Sequence, residues 1–241
     1  MKLLNFIKKI SKNNSSEIVI QQSEEEYYEQ LFTKNLKWSS PNPNYEEELR
    51  WEIIKIFVEK GITSLKGNEP VSILDLGCGR GWLTNLLSKY GTTTGIEPVK
   101  PVIEYAEKLF PEINFLVGNS KTILKNNRNT FNFVVSSEVI EHVPDVEKAN
   151  FIDDIANLLK PDGFLVLTTP RKEAQKEWNK FLSSSQPVEE WISETELENL
   201  VTKKHFKTIE MKRIPITLME NIPQIEVYQL WLFQKLTTCK I

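Results

Sequence analysis

Apolar residues along this chain recur at two spacings, and the switches between them predict its elements. Short apolar runs, each closed by polar or glycine residues, fall at residues 73–76, 92–97, 113–117, 131–135 and 164–169, and each reads as a buried strand. Between them, apolar residues return every three or four positions. Leu83, Leu86, Leu87 and Tyr90 share one helical face, as do Val102, Tyr105, Ala106 and Leu109, and then Ile152, Ile155, Ala156 and Leu159. Lys160-Pro161-Asp162-Gly163 stops the last of these, because proline has no N–H for the next turn and glycine favours a break. Ser193 followed by Glu196 forms a capping box and opens a further helix. Strands alternating with helices predict an α/β fold built on a parallel sheet.

The first strand runs into Ile73-Leu74-Asp75-Leu76-Gly77-Cys78-Gly79-Arg80-Gly81-Trp82. Glycine is needed where the backbone takes positive φ or lies flat against a ligand. A strand-to-helix turn of this kind places that ligand at the carboxyl end of a parallel sheet. The spacing is G-x-G-x-G, whereas a pyrophosphate on a helix N-terminus is usually seated by G-x-G-x-x-G; Trp82 stands near where the later glycine would be. With Asp75 beside it, the turn suits a positively charged ligand, such as a sulfonium amino acid, better than a diphosphate. Glu97 ends the second strand 22 positions after Asp75, with Pro98 next to it. A carboxylate there can accept hydrogen bonds from both ribose hydroxyls of an adenosine. Asn119 and Ser120 follow the third strand, and Asn119 suits either an adenine edge or an ordinary turn. The fourth strand leads into Ser136-Ser137-Glu138-Val139-Ile140-Glu141-His142-Val143, which gathers two serines, two acids and a histidine.

Together these residues resemble the class I S-adenosylmethionine-dependent methyltransferases. The nearest resemblance is to the branch of ubiquinone-biosynthesis O-methyltransferases and small-molecule methyltransferases. It spans roughly residues 45 to 211 and rests on the Leu74 to Gly81 turn, Glu97, the Glu138 to Val143 block and Leu159-Lys160-Pro161-Asp162-Gly163. It implies a Rossmann-like doubly wound seven-stranded sheet with helices on both faces, in the order 3-2-1-4-5-7-6, with strand 7 antiparallel and the last two strands at about residues 205–211 and 226–233. It also implies S-adenosyl-L-methionine as cofactor, bound by Asp75, Gly77, Cys78, Gly79, Gly81, Trp82, Glu97, Pro98, Asn119, Ser120, Ser137 and Glu138. In relatives an arginine on the helix before the first strand meets the cofactor carboxylate. Arg50 is the candidate here, and a solvated helix arginine is the alternative. The implied reaction is methyl transfer to a small-molecule acceptor, with an oxygen on a sugar, quinol-like or other metabolite favoured.

His142 is the catalytic candidate, since its imidazole titrates near neutral pH beside the expected cleft. It would act as a base or acceptor-orienting group, or else bond the cofactor's amino-acid end or backbone. His205, among lysines at an edge strand, reads as solvated. Small-RNA 3′-terminal 2′-O-methyltransferases carry a Glu-x-x-Glu-His block like Glu138 to His142 and add a distant histidine to hold a divalent metal. The segment that should supply it here, Val188-Glu189-Glu190-Trp191, has none, so no metal site is expected and methylation without added metal follows. RNA methylation stays as one alternative, and a non-catalytic cofactor-binding protein of the same fold as another. A nicotinamide-dependent enzyme is disfavoured by the glycine spacing and by the lack of a Tyr-x-x-x-Lys pair.

With 241 residues, 40% of them apolar, the chain suits one sizeable core. A net charge of -3 gives no electrostatic case for nucleic acid. Its two cysteines, Cys78 and Cys239, do not look like a disulfide pair and point to a reducing cytoplasm. No apolar run approaches a membrane span. Residues 1–44 read as a helical and loop extension serving as a lid, and 45–241 as the methyltransferase domain. Within residues 2–12, Leu3, Phe6, Ile7 and Ile10 share a face beside four lysines, which suits peripheral membrane contact or a short covering helix. Ser39-Ser40-Pro41-Asn42-Pro43-Asn44 reads as a loop over the cofactor, and residues 171–191 and 213–224 as substrate-side insertions. Oligomeric state is not legible.

Overall fold

The computed structural model describes residues 23–67, 69–182, 186–203, 205–218 and 223–237. The amphipathic segment at residues 2–12 and Cys239 lie outside the described residues. Seven strands form one sheet in the order β3-β2-β1-β4-β5-β7-β6. They are β1 (Ser72–Leu76), β2 (Thr92–Glu97), β3 (Asn114–Val117), β4 (Phe131–Ser137), β5 (Leu159–Pro170), β6 (Phe206–Ile216) and β7 (Ile225–Lys235). Pairing is parallel from β3 through β5, and β7 runs antiparallel to both β5 and β6. This is the expected order and the expected reversed strand.

The helices are α1 (Glu24–Lys34), α2 (Tyr45–Ser64), α3 (Trp82–Leu87), α4 (Lys100–Leu109), α5 (Ser120–Leu124), α6 (Asp145–Leu158), α7 (Lys172–Trp178) and α8 (Glu194–Thr202). The central strands are apolar on both faces, so alternate residues feed two cores. Ile73, Phe133, Val135, Phe164 and Val166 pack with Ile54, Phe57 and Val58 of α2 and Leu83 and Leu87 of α3. Leu74, Val134, Leu165 and Leu167 pack with Phe151, Ile152 and Ile155 of α6 and Leu197 and Val201 of α8. Gly61 lets α2 lie close to the sheet: a Cβ there would sit 2.6 Å from the Phe133 ring. No helix among the described residues is long and apolar enough to cross a membrane.

Three boundaries differ from the reading of the sequence. The first crossover helix, α3, ends at Leu87, so Tyr90 lies beyond it and meets Trp51 of α2 edge-on at 6.1 Å. Strand β5 begins at Leu159, which pairs with Phe131, and the register shifts before Phe133 meets Phe164. The Lys160-Pro161-Asp162-Gly163 turn is thus looped out within the strand, with Asp162 at φ 60. Strand β6 continues to Ile216 through Pro215. A proline normally ends a strand reading, but β6 is the sheet edge, and a register shift between Ile214 and Pro215 absorbs the missing donor.

Candidate active site

The carboxyl ends of β1, β2, β4 and β5 face one cleft, and the glycine turn forms one wall. Gly77, Gly79 and Gly81 all have positive φ, at 81°, 50° and 84°. The Gly77 and Cys78 N–H groups donate to the Ile96 carbonyl, which ties the turn to β2. Gly81 is a packing glycine, since a Cβ would lie 2.6 Å from Phe115. At Gly79 a Cβ would meet the ring of Phe32 at 3.2 Å, so α1 lies directly over the turn.

Asp75 is buried beneath the turn and accepts from Thr84 Oγ1 at 2.6 Å; burial raises its pKa to about 7. The acid read as a partner for a cationic ligand therefore has one oxygen committed to anchoring α3. Glu97 is 7% exposed, its Oε1 accepts from the Val99 N–H, and the Gly79 N–H also faces its carboxylate. Burial outweighs these bonds and raises its pKa to about 7.

Arg80 was missed by sequence reasoning. Its guanidinium is completely buried and makes a bidentate pair with Glu47 of α2, with both N–O distances 2.8 Å. It also donates to the carbonyls of Ser40 and Asn42. The turn thereby clamps the Ser39 to Asn44 loop over the cleft, and Tyr105 Oη adds a bond to the Ser39 carbonyl at 2.9 Å. The one available sequence signal was an arginine between two turn glycines.

Arg50, three residues after Glu47 on α2, points into the opposite wall. It is 3% exposed, so the solvated alternative fails. Its guanidinium lies 4.8 Å from the Tyr228 ring centroid, and its strongest favourable charge partner is Glu138. Among the described residues, its buried Nε and Nη1 have no hydrogen-bond partner. Buried N–H groups of a cation are costly to leave unpaired, so they fit an anionic group such as the carboxylate of an amino-acid moiety.

Glu138 follows β4 with a left-handed φ of 58° and accepts from Thr168 Oγ1, to which Ser137 Oγ is also bonded. Glu141 accepts from Thr169 Oγ1 at 2.9 Å. Burial raises these carboxyls to pKa values of about 8 and about 7, respectively, and Arg50 offsets part of each rise.

His142 lies in a 3-10 turn at Ile140–His142. Its Nδ1 is 2.6 Å from the Val188 carbonyl, and its Nε2 is 3.8 Å from Glu141 Oε1. A carbonyl can only accept, so Nδ1 carries a proton, and in the neutral imidazole the lone pair is on Nε2. Tyr28 of α1 meets the His142 ring edge-on at 5.8 Å and lies 6.2 Å from Phe32. Among the described residues its buried Oη has no partner, and burial raises its pKa.

Several expected contacts turn elsewhere. Cys78 packs with Ile103, Ala106 and Phe115, and Trp82 joins the α2 core, so only their backbones can face the cleft. Ser120 Oγ donates to Asp154, and Asn119 is exposed and uses its Oδ1 to cap α5. Pro98 is exposed beside Glu97. His205 is 41% exposed, with Nε2 3.9 Å from Asp153, away from this cleft.

Comparison with known proteins agrees with this arrangement. A methyltransferase-domain family model matches residues 25–211. The mitochondrial ubiquinone biosynthesis O-methyltransferase of Bos taurus is 36% identical over 136 residues, 52% of this chain and 36% of that protein. The chain thus matches well under two thirds of the length of such relatives. The ubiquinone biosynthesis O-methyltransferase of Bartonella tribocorum is 24% identical over 79% of this chain and 85% of its own length. The N-methyltransferase NodS of Bradyrhizobium japonicum, solved with S-adenosyl-L-homocysteine, has a TM-score of 0.65 at 18% identity, covering 89% of this chain and 99% of that one. The fold, the cleft and the family match lead to one conclusion: the chain belongs to the class I S-adenosylmethionine-dependent methyltransferases.

Proposed function

We propose that this chain transfers a methyl group from S-adenosylmethionine to an oxygen of a small metabolite. The observation that carries the reading is that Arg50 Nε and Nη1, buried across the cleft from the Gly79 and Glu97 wall, have no hydrogen-bond partner among the described residues. One end suits an amino-acid carboxylate and the other a ribose diol. The cofactor, when bound, supplies a methyl group already activated on a positively charged sulfur. Arg50 holds the carboxylate end, Glu97 accepts from the ribose hydroxyls, and the Gly79 backbone lies flat against the ligand. Residues 24–44 act as the lid, with Phe32 over Gly79 and Tyr28 over His142, and exclude water.

Alignment of acceptor, methyl and sulfur contributes most, on the order of 7–11 kcal/mol for well-oriented partners. His142 Nε2 takes the acceptor's proton, with Glu141 Oε1 behind it. Such base assistance is worth about 10²–10⁴-fold. Relatives named for ubiquinone biosynthesis support oxygen as the acceptor atom.

The test is incubation with methyl-labelled S-adenosylmethionine, a fractionated metabolite extract and short RNA duplexes, with products identified by mass. Label is expected on a hydroxyl of a small metabolite. His142→Ala is expected to lower that transfer about 10²-fold while S-adenosylhomocysteine affinity holds. Label confined to RNA 3′ ends, or no transfer to any fraction, would overturn the reading.

A further inference from the structure

Lys148 occupies a position that helix electrostatics disfavours. It lies in the first turns of α6, where the helix dipole repels a cation, and it is only 3% exposed. A buried ammonium persists only with compensating partners. Its Nζ donates to Asp145 Oδ1 at 2.5 Å and to the Glu190 carbonyl at 2.8 Å. Glu190 belongs to a strap, residues 188–192, that crosses the rim of the cleft. The Glu190 N–H donates to the Glu141 carbonyl, and its Oε2 accepts from the Asp145 N–H at 2.7 Å. The far end of the strap is held by Ile192, which bridges to Arg171 and accepts from Gln229 Nε2 at 2.8 Å. Two residues before Glu190, the Val188 carbonyl takes the His142 Nδ1 hydrogen.

We infer that Lys148 is a positioning residue: by pinning the strap against the Glu141 to Asp145 turn, it fixes the carbonyl that keeps His142 in its Nδ1–H form. It does not touch the reacting atoms. Imidazole free in water favours the Nε2–H form, so the lone pair must be imposed on Nε2 by the Val188 carbonyl, and the strap must be held for that carbonyl to stay in place. The inference rests on the reading of His142 as the base.

The test uses the full chain labelled with ¹⁵N-histidine, whose two histidines give two resolvable pairs of ring nitrogens. At pH 8 the wild type is expected to show His142 with a protonated Nδ1 and an unprotonated Nε2. Lys148→Met is expected to move most of the His142 population to the Nε2–H form, Lys148→Arg to retain the wild-type form, and His205 to serve as the unchanged control. Nδ1–H retained in folded Lys148→Met overturns the inference alone. Nε2–H in the wild type overturns both the inference and the base reading. Should Lys148→Met fail to fold, Lys148→Leu decides, because the smaller apolar side chain likewise cannot donate to Asp145 or to the Glu190 carbonyl. A shift toward Nε2–H supports the inference, and no shift overturns it.

Discussion

Arg80 commits its guanidinium to Glu47 and two carbonyls, whereas Arg50, one turn beyond Glu47 on the same helix, keeps two N–H groups unpaired. The two arginines should therefore respond differently to removal. Arg80→Met leaves Glu47 as a buried, unpaired acid and is expected to cost about 3–5 kcal/mol in chemical denaturation. Arg50→Met removes nitrogens that lack a hydrogen-bond partner among the described residues, together with a charge that faces Glu138 and the Tyr228 ring, so it should cost less stability than Arg80→Met. Its S-adenosylhomocysteine affinity should fall roughly 10- to 100-fold, the scale of hydrogen bonds to charged groups. Unchanged affinity in Arg50→Met would separate this residue from the cofactor. The glycine turn and Glu97 were legible because strand, turn and acid are local in sequence. Arg80, Tyr28 and Lys148 were not, since each acquires its role from partners 33, 114 and 42 positions away.

At the scale of elements, Gly61 sets how closely α2 approaches β4. Glycine to alanine inside a helix ordinarily stabilises by about 1 kcal/mol. Here the added Cβ would lie 2.6 and 2.7 Å from two atoms of the Phe133 ring, which is itself buried and 5.4 Å from the Phe164 ring. Overpacking of this kind costs about 1–3 kcal/mol and reverses the sign. Thermal melts should show Gly61→Ala below wild type, and a higher melting temperature would mean that α2 can shift outward. The strand order was legible from periodicity and the family resemblance together. The length of β6 was not, because Pro215 reads as a stop unless the strand is known to lie at the edge. The strap at residues 188–192 was likewise invisible, as its bonds run to the 3-10 turn after β4 and to α6.

The whole molecule carries a pH dependence that follows from its cleft. Burial raises Asp75, Glu97 and Glu141 to about 7 and Glu138 to about 8. Between roughly pH 4, where the unfolded carboxyls ionise, and these values, the folded chain binds more protons than the unfolded chain. Stability is thus fullest below the unfolded values and is lost as pH rises through the folded ones. Each unit of upward shift weighs about 1.4 kcal/mol. Carboxyls held low, such as Glu46, Asp145 and Glu194, act in the opposite sense only in more acidic solution. The ligand-free protein should therefore lose roughly 5 °C or more of melting temperature between pH 5.5 and 8.5, and Glu138→Gln should flatten that slope. A flat or rising wild-type profile would contradict the buried-acid account of the cleft.

Calorimetry of S-adenosylhomocysteine binding to the wild type and to Glu97→Ala decides whether this cleft holds the cofactor. The wild type should bind at low- to mid-micromolar concentration, about -7 to -8 kcal/mol. The folded Glu97→Ala variant should lose about 1.5–3 kcal/mol of that. No heat with S-adenosylhomocysteine alongside tight binding of a nicotinamide dinucleotide, or equal affinity in the two proteins, would contradict a Glu97 bond to the ribose of this cofactor.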